Sequence, residues 1–341
     1  MFFKPSGAVL RRTGALAATA ALTVGLSACA SDDGVLRTPD GSVISTTVTR
    51  IAEVNIVNAG RDFAKTCLAP TAPDAGKSDV KRIVVTDPAL LDALCALGLG
   101  AQVKAVVAPA GSVPAYLGPQ LGAVPTLGDT PDAAAVKKAA PELVLSSPAT
   151  ERRLTALRDG GALGAARTAV VDPTTGWQDS FRAVAAAVDR TAAAQTRLAE
   201  FDAEAQRVGR VMDAGHTQVS LVRFTPDAQL IEGTSSFGAQ VMTQVGVARP
   251  AAQRTPKAVV ANDDNYKDAD ADLIYVSFQG EKGTARGTDV LMSDRWLDMG
   301  APTWKRVLNV DDDVWYSGSG LAAAWLVLND LKDSLNSSSA G

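Results

Sequence analysis

From Gly176 to Ala214 the chain reads "GWQDSFRAVAAAVDRTAAAQTRLAEFDAEAQRVGRVMDA", with no proline and one interior glycine, Gly209. Phe181, Val184, Val188, Leu198 and Phe201 recur along it at helical spacing, the period of a helix that buries one face. The pattern predicts a single helix of about 35 residues, far beyond the usual globular length of about 11–12. A coiled coil would need large residues along its a and d seam, and the run of alanines does not supply them. A rod of this length leaves the chain before it and the chain after it to build separate bodies.

Both flanks read as α/β. Before the rod, "RIVVT" at 82–86, "VKAVVA" at 103–108, "LVLS" at 143–146 and "RTAVVD" at 167–172 are short, β-branched and apolar without alternation. Such strands, separated by helices, form a parallel sheet covered on both faces. In "DPALLDALCALGLG" Asp87 can cap a helix, Pro88 open it, and Gly98 or Gly100 close it. Further helices are expected at 131–140 and in "ERRLTALRDGG". After the rod, "QVSLVRF" and "AQLIEG" flank the turn "TPD" as a hairpin. "SFGAQVMTQVGV" reads as a helix, "ADLIYVSF" as a strand, "VLNVDDDVWYSGSG" as a strand with a turn, and "LAAAWLVLNDLKDSL" as the closing helix. The expected fold class is α/β: two α/β lobes joined by one long spine helix, with a ligand cleft between them. The boundaries are 51–175 for the first lobe, 176–214 for the spine and 215–336 for the second lobe.

Residues 1–28 carry Lys4, Arg11 and Arg12 but no acid, then the apolar stretch "ALAATAALTVGL" and small residues. This is the layout of a secretory signal, too short to persist as a spanning helix. No aromatic follows Arg11-Arg12, so the general export route fits better than the twin-arginine one. Leu26-Ser27-Ala28-Cys29 resembles a bacterial lipobox, in which the cysteine is diacylated and becomes the N-terminus. Two acyl chains suffice for stable anchoring, and residues 29–50, polar and rich in Gly, Asp, Ser and Thr, then serve as a lipidated tether. The expected location is the outer face of the cytoplasmic membrane. Cys67 and Cys95 are the other two of three cysteines, read first as a disulfide in an oxidising compartment. Metal binding is the weaker reading, because two thiols supply half a zinc site and the only histidine, His216, is distant in sequence. A net charge of −4 with scattered bases gives no footprint for nucleic acid.

The chemistry is defined by absences. Any Ser-His-Asp or Cys-His mechanism would rest on His216 alone, and its place at the end of the rod suits a helix cap. There is no GxGxxG, no P-loop lysine pattern and no GxSxG. "NDDN" and "DDD" read as solvated turns, not paired catalytic acids. The chain is therefore expected to be no enzyme and to hold no resident metal or cofactor. A binding cleft remains, because ligands of open parallel sheets sit beyond the carboxyl ends of the strands. The segments there are 86–88, 109–116, 146–152 and 172–177 in the first lobe, and 223–224, 234–237, 278–288 and 315–319 in the second.

With the lipobox and tether, "KRIVVTDPALLDALCALGLGAQVKAVV", "TPDAAAVKKAAPELVLSS", "EGTSSFGAQVMTQVGVARP", "DADLIYVSF" and "NVDDDVWYSGSGLAA" resemble the class III substrate-binding proteins. That family takes up ferric siderophores, haem or cobalamin, and "DALCALGL" with the cysteine spacing looks most like the iron-siderophore-binding lipoproteins of actinobacteria. The resemblance runs from Lys81 to the C-terminus. It implies a large rigid ligand held between lobes whose movement the spine limits.

Such a ligand is wide, partly aromatic and usually anionic, so stacking rings and guanidinium donors are expected. The candidates are Arg152, Arg223, Arg286, Trp315, Tyr316, Tyr116, Ser235, Phe237 and Phe278, with Arg286 in a long loop and Tyr316 exposed by strand alternation. Arg153 and the hydroxyls of Ser146, Ser147 and Ser317 are further donors. The implied ligand is a ferric siderophore of the carboxylated mycobactin kind. A haem receptor is the alternative, with Tyr116, Tyr275 or Tyr316 as axial ligand. Transporter-coupled members carry one docking glutamate per lobe, and alignment puts Ala134 and Gln240 at those positions. Coupling to an ABC permease is thereby in question, which leaves a cell-envelope adaptor as a third reading. The chain is expected to be a monomer.

Overall fold

The computed structural model describes residues 48–130 and 132–336. The signal and Cys29 therefore lie outside the described residues. The described residues belong to one compact unit.

In the first lobe β3 (Ile83–Val85), β4 (Val103–Val106), β5 (Leu143–Ser146) and β6 (Arg167–Val170) pair in parallel in the order β4-β3-β5-β6. Every residue of β3 and β5 is buried, as unbroken apolar strands covered on both faces must be. Val84, Ala105 and Val144 face α3 (Ala133–Ala139) and α4 (Glu151–Asp159) through Val136, Leu154 and Leu157. Ile83, Val85 and Leu145 face the opposite way, into the core that holds α1 (Leu91–Ala96). Asp87 caps the turn ahead of α1 by accepting from the Ala89 N–H, with Pro88 at the first position. The Cys67–Cys95 disulfide is formed and pins the preceding loop to α1. A short α2 (Gly118–Gly122) follows β4.

The second sheet has seven strands in the order β1-β2-β11-β10-β7-β8-β9. β7 (Val219–Phe224), β10 (Leu273–Phe278) and β11 (Val307–Asn309) run parallel, and β8 (Gln229–Ile231) turns back from β7 in the expected hairpin. β9 (Val259–Val260) extends that edge. The other edge corrects the lobe boundary at 51. β1 (Arg50–Ile51) and β2 (Val54–Ile56) join the second sheet, with Leu308 opposite Asn55 and Asn309 opposite Ile56. Two strands of two and three residues are too short to show a period.

The spine is helical over the expected span but is not one helix. α5 (Trp177–Ala187) stops and α6 (Thr191–Val211) restarts. At the break Asp189 takes a left-handed conformation, φ 55°. Arg190 turns inward, 1% exposed, donating to the carbonyls of Val188, Asp189 and Thr71 and pairing with Asp79. The Asp74 carboxylate accepts from the N–H groups of Thr191 and Ala192 and so caps α6. That cap comes from more than a hundred residues away, which no local pattern records. On α6, Ala194, Leu198, Phe201, Ala205 and Val208 are buried. Gly209 lets α6 approach α7 (Phe237–Val245) closely, since a Cβ there would stand 2.0 Å from the Val245 carbonyl oxygen.

α8 (Gly280–Leu291), α9 (Asp294–Leu297) and α10 (Gly300–Thr303) lead from β10 to β11, and Leu291, Trp296 and Ala301 pack into the core on that side of the sheet. α11 (Leu321–Ser334) packs on the other side against α1, α5, α6 and α7. One apolar core thus runs from Ile83 and Leu145 of the first sheet through Phe181 and Phe201 to Leu221 and Tyr275 of the second.

Candidate functional site

The first lobe's strand ends are closed by their own polar groups. Thr86 donates to the Ser146 Oγ at 2.8 Å and lies 2.8 Å from the Thr150 Oγ1; Thr86, Ser146 and Ser147 are fully buried. These hydroxyls knit β3 to β5 and are not presented to a ligand. Arg152 is exposed on α4. Its neighbour Arg153 lies across the strand ends, donating to the carbonyls of Thr86 at 3.0 Å and Val107 at 3.2 Å and pairing with Asp129. Tyr116 is 2% exposed, and its hydroxyl donates to Asp92 at 3.0 Å. It is a core residue, contrary to its reading as a cleft aromatic.

The second lobe keeps more of its candidates at the surface. Arg223, at the end of β7, grips Asp312 with Nε and Nη2, both at 2.8 Å. Its guanidinium lies 4.7 Å from the centre of the Tyr316 ring, a cation–π geometry. Ser277 Oγ donates to the same Asp312 at 2.9 Å. Glu232 is nearly buried beside this group, and desolvation raises its pKa despite the attraction of Arg223 and Arg249. Burial likewise raises the Tyr316 phenol. Phe278 is half-buried and stacks on Phe224 at 5.6 Å. Ser235 is exposed ahead of α7, and Phe237 is buried with its ring 6.3 Å from that of Trp177.

Two further candidates move. β11 ends at Asn309 and Asp313–Ser317 forms a π-helical turn, so strand alternation does not apply to Trp315 and Tyr316. Trp315 is fully buried, its indole N–H donating to Asp330 at 2.9 Å. Arg286 lies on α8 rather than in a long loop, and its Nε and Nη2 donate to the carbonyls of Thr225 and Pro226 at 3.1 and 2.9 Å. It holds the β7–β8 turn.

A cavity of about 310 Å³ opens at the carboxyl ends of β10 and β11, lined by Phe278, Gln279, Asn309, Asp311, Asp312 and Asp313 among others. A second, of about 250 Å³, adjoins it at the end of β2 and shares Asn309 and Asp311. The aspartates of "DDD", expected from the sequence to form a solvated turn, line the first of these cavities. The signal that finds them is position, since they directly follow a parallel strand. An apolar groove of about 280 Å³ beside Met292, Leu297 and Lys305 lies at the amino ends of β2 and β11, away from that edge. Among the described residues no three His, Cys, Asp or Glu side chains are arranged to hold a metal. Ala134 is exposed on the first turn of α3, and Gln240 on α7 donates to the Ser235 carbonyl.

Two α/β lobes sharing a core, with a polar cavity at strand carboxyl ends, have the architecture of a ligand-binding protein. Residues 83–314 match the periplasmic binding protein family, and the chain belongs to that family. It is 25% identical over 277 residues to the probable siderophore-binding lipoprotein YfiY of Bacillus subtilis strain 168, covering 74% of this chain and 81% of that protein. Its fold is similar to that of Staphylococcus aureus SirA complexed with staphyloferrin B, with a TM-score of 0.60, 18% identity, and 76% and 94% of the two chains covered. It is likewise similar to Staphylococcus aureus FhuD2 with bound ferrioxamine B, with a TM-score of 0.57, 18% identity, and 75% and 98% covered.

Proposed function

We propose that this protein is an extracytoplasmic receptor that holds a ferric siderophore between the carboxyl ends of its two sheets and so serves iron uptake. The observation that carries the reading is the cavity at the ends of β10 and β11, in a chain of the periplasmic binding protein family. The printed functions of relatives support it: YfiY as a probable siderophore-binding lipoprotein, SirA with staphyloferrin B, FhuD2 with ferrioxamine B. Cys29 in its lipobox supports attachment to the outer face of the membrane.

The finer reading, a carboxylated mycobactin, calls for free guanidinium donors. Arg223, Arg286 and Arg153 are each engaged by partners within the fold, which leaves Arg152 alone of that set. The haem reading calls for an accessible tyrosine. The hydroxyls of Tyr116 and Tyr275 are buried in hydrogen bonds to Asp92 and Ser334, and the Tyr316 ring lies beneath Arg223; no observation favours haem. Ala134 and Gln240 stand where docking glutamates are expected, which does not support coupling to an ABC permease through that charge pair.

The test is a fluorescence titration of the purified protein with several ferric siderophores. Saturable quenching of tryptophan emission at micromolar concentration or below is expected for at least one. No quenching by any of them contradicts the proposal.

A further inference from the structure

The arginines near the strand ends use their nitrogens in two different ways. Arg153 and Arg286 donate to backbone carbonyls and so hold strand ends and a turn in place. Arg223, one residue from the end of β7, donates to no backbone carbonyl among the described residues. Its Nε and Nη2 meet the two oxygens of Asp312, each at 2.8 Å, the fork geometry in which a guanidinium takes a carboxylate. The Tyr316 ring lies against the guanidinium, 4.7 Å from its centre. Asp312, for its part, is committed to this pair. It stands at the N-cap position of the turn Asp313–Ser317 but makes no cap hydrogen bond; Asp311 does, accepting from the Val314 N–H at 3.1 Å. The other partner of Asp312 is the fully buried Ser277 hydroxyl on β10, the residue opposite Arg223, which donates to Oδ1 at 2.9 Å and aims the carboxylate at β7. The Arg223 and Asp312 side chains are 18% and 11% exposed, and Asp312 lines the cavity at the ends of β10 and β11. Glu232 and Asp313 also act on the same guanidinium. An arginine answered in this way by its own chain offers no net charge to an incoming anion.

We propose that Asp312 sets the charge preference of the second lobe: it fills the place on Arg223 that a ligand carboxylate would take, and so favours neutral ferric complexes over carboxylate-bearing anionic ones. The proposal rests on the siderophore reading and deepens it. A ligand carboxylate must displace Asp312 from the fork or approach against its charge. A neutral complex meets neither cost, and Nη1, which no residue of the fold engages, is left to donate to one of its oxygens. The bonds of Arg223 are to side chains alone, so removing Asp312 leaves the guanidinium at the end of β7 with its fork open.

Equilibrium dialysis of the full chain against N-acetylated ferrioxamine B, a neutral complex, and ferric staphyloferrin B, an anionic carboxylate complex, reads the preference directly. The neutral complex is expected to bind about tenfold tighter. Asp312→Asn removes the charge at nearly constant size and should tighten the carboxylate complex about tenfold, with the neutral one changed by less than about twofold. Because the expected change is a gain, damage to the fold cannot imitate it, and Asp312→Ala repeats the measurement with no acceptor left on Arg223. Asp311→Asn takes an equal charge from the same cavity wall but leaves the fork filled, so it should give only a small part of that gain. Equal binding of the two complexes by the parent, a carboxylate affinity unmoved by both Asp312 variants, or an equal gain from Asp311→Asn overturns the proposal while leaving the siderophore reading standing. Retention of neither complex by the parent or any variant contradicts both.

Discussion

Whether a side chain can meet a ligand is decided by what else it already holds. Arg286 was a cleft candidate on sequence grounds, yet both of its bonded nitrogens are occupied by the carbonyls of Thr225 and Pro226. Arg286→Ala should therefore lower stability by about 1–2 kcal/mol and leave ligand affinity unchanged, as denaturant unfolding and dialysis would show; a loss of affinity without loss of stability would reverse that assignment. Asp330 gives a second case. Burial pushes its carboxyl up to about 6, even with Arg61, Trp315 and Asn58 beside it. An unfolded aspartate titrates near about 3.9, so the folded state holds this proton more tightly. Its stabilising effect is complete below about pH 4 and is lost as pH rises through 6. The predicted sign is a contribution that grows from pH 7 to pH 5 and vanishes in Asp330→Asn, measured by urea unfolding at both pH values. At this scale the sequence showed residue types at the right strand ends, and Arg223, Tyr316 and Phe278 do lie there. It could not show that Trp315 and Tyr116 turn inward, because the partners that draw them in, Asp330 and Asp92, are known only from the fold.

The elements were legible where their signal is local. Alternating short strands and capped helices, with Asp87 and Pro88 opening the first of them, reappear as read. Elements whose limits depend on distant groups were not. The break at Val188–Arg190 follows from the buried guanidinium of Arg190 and the capping carboxylate of Asp74. β1 and β2 exist because β11 offers them an edge. The disulfide fastens one such dependent piece, the loop at Cys67, to α1 across 28 residues of chain. Closing a loop of that length is worth roughly 3–4 kcal/mol. Replacing both cysteines by alanine should lower unfolding stability by about that amount, with α1 and its loop gaining hydrogen exchange first; an unchanged midpoint would mean the loop is held by its other contacts.

Across the whole molecule the lobes are joined by more than the spine. Asp92 on α1, 1% exposed, accepts from the N–H groups of Ala322 and Ala323 at the start of α11 and from the Tyr116 hydroxyl. Gly320 makes the approach possible, since a Cβ there would stand 2.2 Å from the Asp92 Oδ1. With a shared core on either side of this contact, ligand entry should change the lobe arrangement little. Asp92→Ala removes a helix cap and strands a buried hydroxyl, a cost of about 2–4 kcal/mol. Solution scattering should show that variant more open than the parent. The two-lobed plan was visible in the sequence because each half repeats the strand–helix rhythm. The latch was not, because it joins residues 230 positions apart.

The central claim is that this fold exists to hold an iron complex at the carboxyl ends of its sheets. Its most direct test is dialysis of the purified protein against a panel of ferric siderophores and the same molecules free of iron. The account predicts one equivalent of ferric complex retained at micromolar concentration or below, competed weakly by the iron-free form. Retention of none of the ferric complexes, or equal retention of the iron-free molecules, would contradict it.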